Sequence, residues 1–472
     1  MTVTTVDPST GAPLATYEET APDGIDVILD RAYQAAAAWR TTSPGERARA
    51  LRRLAAALRD RRDDLAVLAT REMGKPLLES IAEVDKCAWA CEWFADHGPA
   101  MLEPEPVDTE AVRTRILYVP LGVVFAIMPW NFPYWQVVRA LAPAVAAGNV
   151  LVLKHAPSTT GGALLLADVA AEAGLPEGVL SVLVASADRT AQVSERIITD
   201  DRVAAVTLTG STGAGRSVAG IAGRALKKTV LELGGSDPFI VLADADIDAA
   251  AVSAVRSRFQ NTGQSCIAAK RIIIEDSIAD IFTERLLKHV AQLRIGDPMD
   301  PGTTVGPLAR ADLRDGLDRQ VRESVEQGAR ILAGGHPADR PGFYYEPTVL
   351  DHVTAGMPVL TEEVFGPAVP IVRAPDPEEA LRLANETRFG LGSNVWTSDL
   401  DRGEDIAARL DAGHTAVNGI TASDPRLPFG GVKDSGYGRE LSRHGLHEFV
   451  NVHTVVVNGP HGPGGDGKRA VE

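Results

Sequence analysis

The stretch RFQNTGQSCIAAKR, residues 258–271, carries Cys266, one of three cysteines in a chain of 472 residues. A thiolate there would be a nucleophile. A free cysteine is also among the most buried residue types and often behaves as a small hydrophobe. Its small and amide-bearing neighbours leave both readings open. Four polar or glycine motifs fall directly after apolar strands: PWN after 122–128, Lys154 after 150–153, TGSTGAG (209–215) after 203–208, and ELGG after 229–231. In an open α/β sheet the ligand crevice lies at the carboxyl ends of the strands, so four such motifs in one domain point to a nucleotide. TGSTGAG lacks the GxGxxG fingerprint. It still puts Gly210, Ser211 and Gly215 on a strand-to-helix turn whose N–H groups can face a pyrophosphate; read by itself it is equally a plain glycine turn. Cys87 and Cys91, four apart in DKCAWACEWFAD, read as core thiols on a helix face. No second ligand pair follows them, and no metal site is expected.

These groups need elements to hold them. From about residue 120, apolar strands alternate with helices: GVVFAIMP, YWQVVRALAPAVAAG, NVLVLKH, GGALLLADVAAEAG, VAAVTLTG, GRSVAGIAGRAL, KTVLELGG. Unbroken apolar strands between helices mean βαβ units and a parallel sheet covered on both faces. A second series runs from DPFIVLAD through helices near 246–260 and 277–293 to RIIIED, AVPIVRA, EEALRLANET and NVWTSD. The class is therefore α/β with two parallel-sheet domains. Before them, Ser43, Pro44 and Glu46 form a capping box, Leu51, Leu54, Leu58, Leu65 and Leu68 recur at helical spacing, and Gly74 and Pro76 close that helix. Residues 113–119, RTRILYV, alternate like a half-exposed strand and can form an arm with NVHTVVVN, 451–458.

Composition narrows the partners. A net charge of −16 argues against nucleic acid or an anionic membrane. No run is long enough for a transmembrane helix, and MTVTTVDPST lacks the regions of a signal peptide. Three cysteines are too few for a disulfide framework, so a reducing cytoplasm is expected.

MPWNFPYWQ, TLTGSTGAG, LELGGSDPFIV, NTGQSCIAAKR, EEVFGP, VNGI and PFGGVKDSGYGRE occur in the order seen in the NAD(P)-dependent aldehyde dehydrogenase superfamily, which the chain resembles from about residue 5 to 457. LKHAP, LELGGSDPFIV and GRELSRHGLHEF look like its bacterial succinate-semialdehyde dehydrogenase branch. The resemblance implies a fold of two α/β domains and a small β arm for oligomerisation. Residues 1–112 and 131–235 would bind cofactor, 236–440 would carry catalysis, and 113–130 with 441–460 would form the arm of a dimer or tetramer. The Gly-rich 461–472 would be a flexible tail. It also implies Cys266 as nucleophile, forming a thiohemiacetal and then a thioester. The Asn131 side-chain amide and the Cys266 N–H would hold the oxyanion, and Glu232 would activate the hydrolytic water. Lys154 would hold the adenosine ribose. Trp130, Ser158, Gly210, Ser211, Gly215 and Leu233 would line the cofactor cleft, and Glu363 with Phe365 would position the nicotinamide ribose and ring. Residue 268 is Ala, so a thiol two residues after Cys266 is absent.

On the substrate side, Trp135, Arg139, Gln260 and Ser423 are implied. Arg139 matches an arginine used by succinate-semialdehyde dehydrogenases, whose guanidinium suits a distal carboxylate, although it also reads as a solvated helix residue, and Ser423 matches a pocket serine of the same enzymes. Gln260 stands where those enzymes often carry a second arginine, which leaves glutarate semialdehyde or a small neutral aldehyde as alternatives. A CoA-acylating enzyme is opposed by Glu232. An inactive binding homologue is opposed by the intact Cys266, Glu232 and Asn131. Pro157 replaces the glutamate that NAD-preferring relatives place three residues after the ribose lysine. NADP is therefore the expected cofactor, with NAD as the alternative.

Overall fold

Strands buried on both faces explain the unbroken apolar runs. In the computed structural model, which describes residues 1–460 and 462, Lys228–Glu232, Val203–Thr209, Val123–Met128, Val150–His155 and Leu180–Leu183 lie side by side and parallel. Every residue of Val123–Met128 and Val150–His155 is buried. A short strand, Gly436–Tyr437, adds antiparallel to the outer edge, with Gly436 opposite Glu232. The second sheet runs in the order Arg330–Ala333, Thr348–Asp351, Ala368–Ala374, Ala269–Glu275, Asp237–Val241, Gly392–Trp396, His414–Val417, and only its first pair is antiparallel. The expected class, two parallel-sheet α/β units with a small β arm, is the one found.

The arm pairs Arg113–Pro120 antiparallel with Val450–Val457, setting Arg113 opposite Val457 and Pro120 opposite Val450. Three segments lie elsewhere than expected. Val123–Met128 belongs to the six-stranded sheet, so the first arm strand ends at Pro120 rather than 130; a strand buried on both faces cannot serve an exposed arm. Glu105–Val107 joins the arm's other edge, and Gly436–Tyr437 leaves the catalytic segment for the first sheet. The tail expected at 461–472 lies, apart from Gly462, outside the described residues.

In the N-terminal region the Ser43–Glu46 capping box is present, with Pro44 at the first turn. The single helix expected there is two, Pro44–Asp60 and Arg62–Met73, because Arg61 leaves helical geometry at φ −99°, ψ 16°. The apolar stripe survives the break, since Leu58 and Leu65 are about two turns apart and both fully buried. Gly74 ends the second helix at φ +79°, where a Cβ would strike Pro307. Cys87 and Cys91 are fully buried on Leu77–Met101. Among the described residues no helix is long and apolar enough to cross a membrane.

Candidate active site

Parallel strands deliver their carboxyl ends to one edge, and the sequence motifs collect there. Ile127 is opposite Lys154, and Thr209 is opposite Glu232. Gly210 N–H donates to the Glu232 carbonyl at 2.9 Å and extends that ladder into the turn. The next helix, Trp135–Ala147, has no side-chain cap of its own. A remote carboxylate does the work: buried Glu83 accepts from the Tyr134 and Trp135 N–H groups at 2.8 Å each and pairs with buried Lys75. An anion at a helix N-terminus answers both the free donors and the dipole.

Cys266 sits at the end of a strained loop. Asn261 (φ +51°), Thr262 (φ +55°) and Gly263 (φ +74°) are left-handed in succession, and a Cβ at Gly263 would collide with the Gly366 carbonyl. Two non-glycine residues hold this conformation only because their surroundings bind them. Asn261 N–H donates to Glu79, its Nδ2 donates to the Asn131 carbonyl at 2.7 Å, and Ala309 N–H donates to the Gln264 side-chain oxygen at 2.9 Å. Asn131 Nδ2 in turn donates to the Gln264 carbonyl at 3.1 Å. One amide hydrogen of Asn131 is thus committed to the loop and the other is free. Among the described residues none accepts the Cys266 N–H. The arrangement can offer two N–H donors to an oxyanion beside the sulfur. Burial pushes the Cys266 thiol up to about 12; Arg139 and Lys270 oppose that shift, and Glu232 and Asp237 add to it.

Behind the sulfur, three charged groups share one dry space. Arg139, expected to reach the substrate, is 1% exposed, forms an ion pair with buried Glu440, donates to Thr209 Oγ1 at 3.3 Å and lies over the Phe429 ring at 4.7 Å. Glu440 is pinned by a reciprocal backbone pair with Phe429, at 2.7 and 2.8 Å. Glu232 is buried beside them with both carboxylate oxygens unpartnered. Burial raises its pKa well above the usual range; Arg139 pulls it down and Glu440 pushes it up. Burial raises the pKa of Glu440 too, but Arg139 pairs with it directly, whereas Glu232 feels Arg139 and Arg439 without an ion pair, so the upward shift is the larger at Glu232.

On the cofactor side, Ser211 caps Thr212–Arg224, accepting from Ala214 N–H at 3.3 Å. Gly215 is packed so closely on Leu233 that a Cβ would lie 2.5 Å from its side chain, which keeps the helix start against the strand end. Lys154 is buried, its pKa lowered to about 8 by that burial, and has no ion-pair partner among the described residues. Ser158 Oγ is shielded from solvent without a hydrogen-bond partner. Farther along the cleft, Glu363 accepts from Gly235 N–H at 3.0 Å and pairs with Lys270 at 2.6 Å, while Phe365 meets Trp130 edge to face at 5.7 Å. Lys270, which also donates to the Cys266 carbonyl at 2.9 Å, was not singled out from the sequence. Its place four residues after the cysteine, in CIAAKR, was the available signal.

A cavity of about 200 Å³ opens on Cys266 and is lined by Trp135, Arg139, Gln260 and Ser423 among others, which brings together every substrate-side residue expected. It also holds Lys86, which the sequence reading passed over. Lys86 Nζ donates to Ser423 Oγ at 2.8 Å and sits 4.3 Å over the Trp135 ring. Glu232 and Asn131 do not line this cavity.

The fold is that of an NAD(P)-dependent aldehyde oxidoreductase. The chain belongs to the aldehyde dehydrogenase family, whose model matches residues 1–455. It is 50% identical over 450 residues to succinate semialdehyde dehydrogenase [NAD(P)+] Sad of Escherichia coli (strain K12), covering 95% of this chain and 96% of that protein. It is 47% identical to succinate-semialdehyde dehydrogenase [NADP(+)] 1 of Mycobacterium bovis, over 97% of this chain and all of that one. A solved succinic semialdehyde dehydrogenase from Streptococcus pyogenes, in complex with NADP+, superposes with a TM-score of 0.93 at 38% identity, covering 97% of this chain and 100% of that chain.

Proposed function

We propose that the protein oxidises succinate semialdehyde to succinate with NADP+ or NAD+, through a thioester on Cys266. The observation that carries this reading is a cysteine at the cavity wall whose loop is held by the Asn131 amide, donating to the Gln264 carbonyl at 3.1 Å, and whose own N–H has no acceptor among the described residues. The thiol gives its proton to water in the cavity, Sγ bonds to the aldehyde carbon, and the C=O π pair moves onto the oxygen, whose charge faces those two donors. When bound, the nicotinamide cofactor supplies the hydride acceptor. Glu232 then takes a proton from the water that cleaves the thioester. Burial favours its protonated form in the dry resting place, and contact with water favours the base form. Gly234 and Gly235, directly after it, keep bulk away from that path.

The residues fit a 2′-phosphate. The Ser158 hydroxyl lacks a partner, the Lys154 ammonium is unpaired, and Pro157 brings no opposing carboxylate. Lys154 and Ser158 would hold the phosphate and ribose, Ser211 and Gly215 the pyrophosphate turn, and Glu363, Phe365 and Trp130 the nicotinamide end. By the same reading, residues 1–104 and 121–235 form the cofactor unit, which takes in the strand Val123–Met128, and 236–435 the catalytic unit. The arm of 113–120 and 450–457 joins copies of the chain. All three cysteines are free, which suits a reducing cytoplasm.

The test is NAD(P)H formation from succinate semialdehyde, glutarate semialdehyde and butanal, with and without CoA. We expect CoA-independent reduction of NADP+ that is fastest with succinate semialdehyde and absent in Cys266→Ala. Turnover that requires CoA, or that survives in Cys266→Ala, would overturn the mechanism.

A further inference from the structure

We infer that Lys86, not Arg139, is the cation that binds the distal carboxylate of the substrate, with Ser423 Oγ as its hydrogen-bonding partner at that spot. The inference deepens the proposed function and rests on it. An aldehyde with a carboxylate at its far end must bury an anion in the cavity that opens on Cys266, and a buried carboxylate needs a charged donor.

Three cations border that cavity. Arg139 is neutralised: its guanidinium pairs with Glu440, is covered by Phe429 and donates to Thr209. Drawing it toward a substrate would leave Glu440 buried with its charge unanswered. Arg256 borders the cavity but is exposed, where water weakens its attraction. Lys86 differs from both. It projects from Leu77–Met101 and is part-buried at the cavity wall. No carboxylate lies within ion-pair distance of it among the described residues. The Trp135 ring shields one side of the ammonium, and the Ser423 hydroxyl takes one of its three N–H donors, leaving two for a ligand. Ser423 is itself buried, so its hydroxyl hydrogen can turn toward the same anion.

Burial, and then repulsion from Arg139, lower the Lys86 pKa to about 8, against a weaker opposing pull from Cys87, Asp424 and Glu83, none of which pairs with the ammonium directly. A substrate carboxylate supplies that direct partner. Lys86 also accounts for Gln260: a carboxylate held by another cation lining the same cavity needs no arginine six residues before Cys266.

The experiment is kcat/KM for succinate semialdehyde and for butanal, a neutral aldehyde with the same four-carbon chain, in wild type, Lys86→Met, Lys86→Gln and Lys86→Arg. The readout is the ratio of the two substrates, which a loss of stability alone would not move. We expect the ratio to favour succinate semialdehyde in wild type. It should fall roughly ten- to a hundredfold in Lys86→Met and Lys86→Gln, as for a lost charge-assisted hydrogen bond, and recover in part in Lys86→Arg. A wild type that favours succinate semialdehyde, with a ratio kept within about threefold in both neutral variants, would overturn the assignment while leaving the substrate reading intact. Collapse of the ratio in Arg256→Met instead would also overturn it. A wild type without preference for succinate semialdehyde would overturn the substrate reading, and the assignment with it.

Discussion

Replacing Glu232 with glutamine should stabilise the protein, and by more as the pH rises. The Glu232 carboxyl is 2% exposed, and neither oxygen has a partner. Burial raises its pKa well above the usual range, and the Arg139 charge that would lower it is engaged by Glu440. A folded-state pKa above the unfolded one means that the native chain holds a proton that the unfolded chain releases. Rising pH therefore favours unfolding from about 4.3, the unfolded glutamate value, up to the folded pKa, at a slope of about 1.4 kcal/mol per pH unit for one proton. Glutamine has nearly the same shape and no proton to lose. The excess stability of Glu232→Gln should thus be near zero at pH 4.5 and grow through pH 6 and 7. The assay is the difference in thermal midpoint between wild type and variant across that range. Glu440→Gln is the control. It strips Arg139 of its partner and should not stabilise, since breaking a buried pair costs about 3–5 kcal/mol, offset in part by Glu232 ionising in its place. A Glu232→Gln variant whose advantage is flat with pH, or that is less stable at pH 7, would mean that Glu232 is ionised in the resting site.

Three further outcomes follow from the site and the arm. With the Cys266 thiol pushed up to about 12 by burial, the logarithm of its iodoacetamide alkylation rate in the cofactor-free protein should climb with pH from 7 to 9.5 without levelling; a plateau below pH 9 would show a thiolate already stable there. Pro157→Glu should shift the kcat/KM ratio from NADP toward NAD roughly a hundredfold. Two like charges about 6 Å apart at an effective dielectric of about 20 repel by about 3 kcal/mol, and an unmoved ratio would place the phosphate elsewhere. Removing residues 448–472 takes away the Val450–Val457 strand and opens the edge of Arg113–Pro120. Light scattering should then report monomers or aggregates, and an assembly of unchanged mass would refute the arm's role.

The framework was legible because burial on two faces writes itself into a strand as an unbroken apolar run. Val123–Met128, Val150–His155 and Val203–Thr209 were readable for that reason, as was the gathering of Trp130, Asn131, Lys154 and Glu232 at their ends. The antiparallel arm was readable from alternation. Leu180–Leu183, with three of its four residues half-buried, gave neither signal and went unseen. The break at Arg61 was hidden because it preserves the leucine stripe. The charges were the least legible part. Nothing local to Arg139 reveals that Glu440, some 300 positions later, sits against its guanidinium, so solvent and substrate were the only partners the sequence suggested. Lys86 was masked by its neighbours, because in DKCAWACEWFAD the cysteines dominate the helix-face pattern. Cys87 does point into the core, while the residue before it points into the cavity.

The cations of the site divide by what each is denied. Lys154 is denied water and any carboxylate, so its charge is available to a phosphate-bearing cofactor. Lys270 has its carboxylate, Glu363, and the Cys266 carbonyl, so it ties the thiol loop to the Glu363 segment. Arg139 has Glu440, which leaves Glu232 without an ion pair and its pKa pushed up by burial. Lys86 faces the cavity as a shielded cation with a hydroxyl neighbour and, among the described residues, no ion-pair partner. Were Arg139 the anchor, binding would have to break a buried ion pair before making a new one, and the few kcal/mol lost would cancel much of what the new pair supplies. With Lys86 nothing is broken, since its counter-ion is the substrate itself. A cavity built this way discriminates by leaving its own cation unanswered whenever a neutral aldehyde enters.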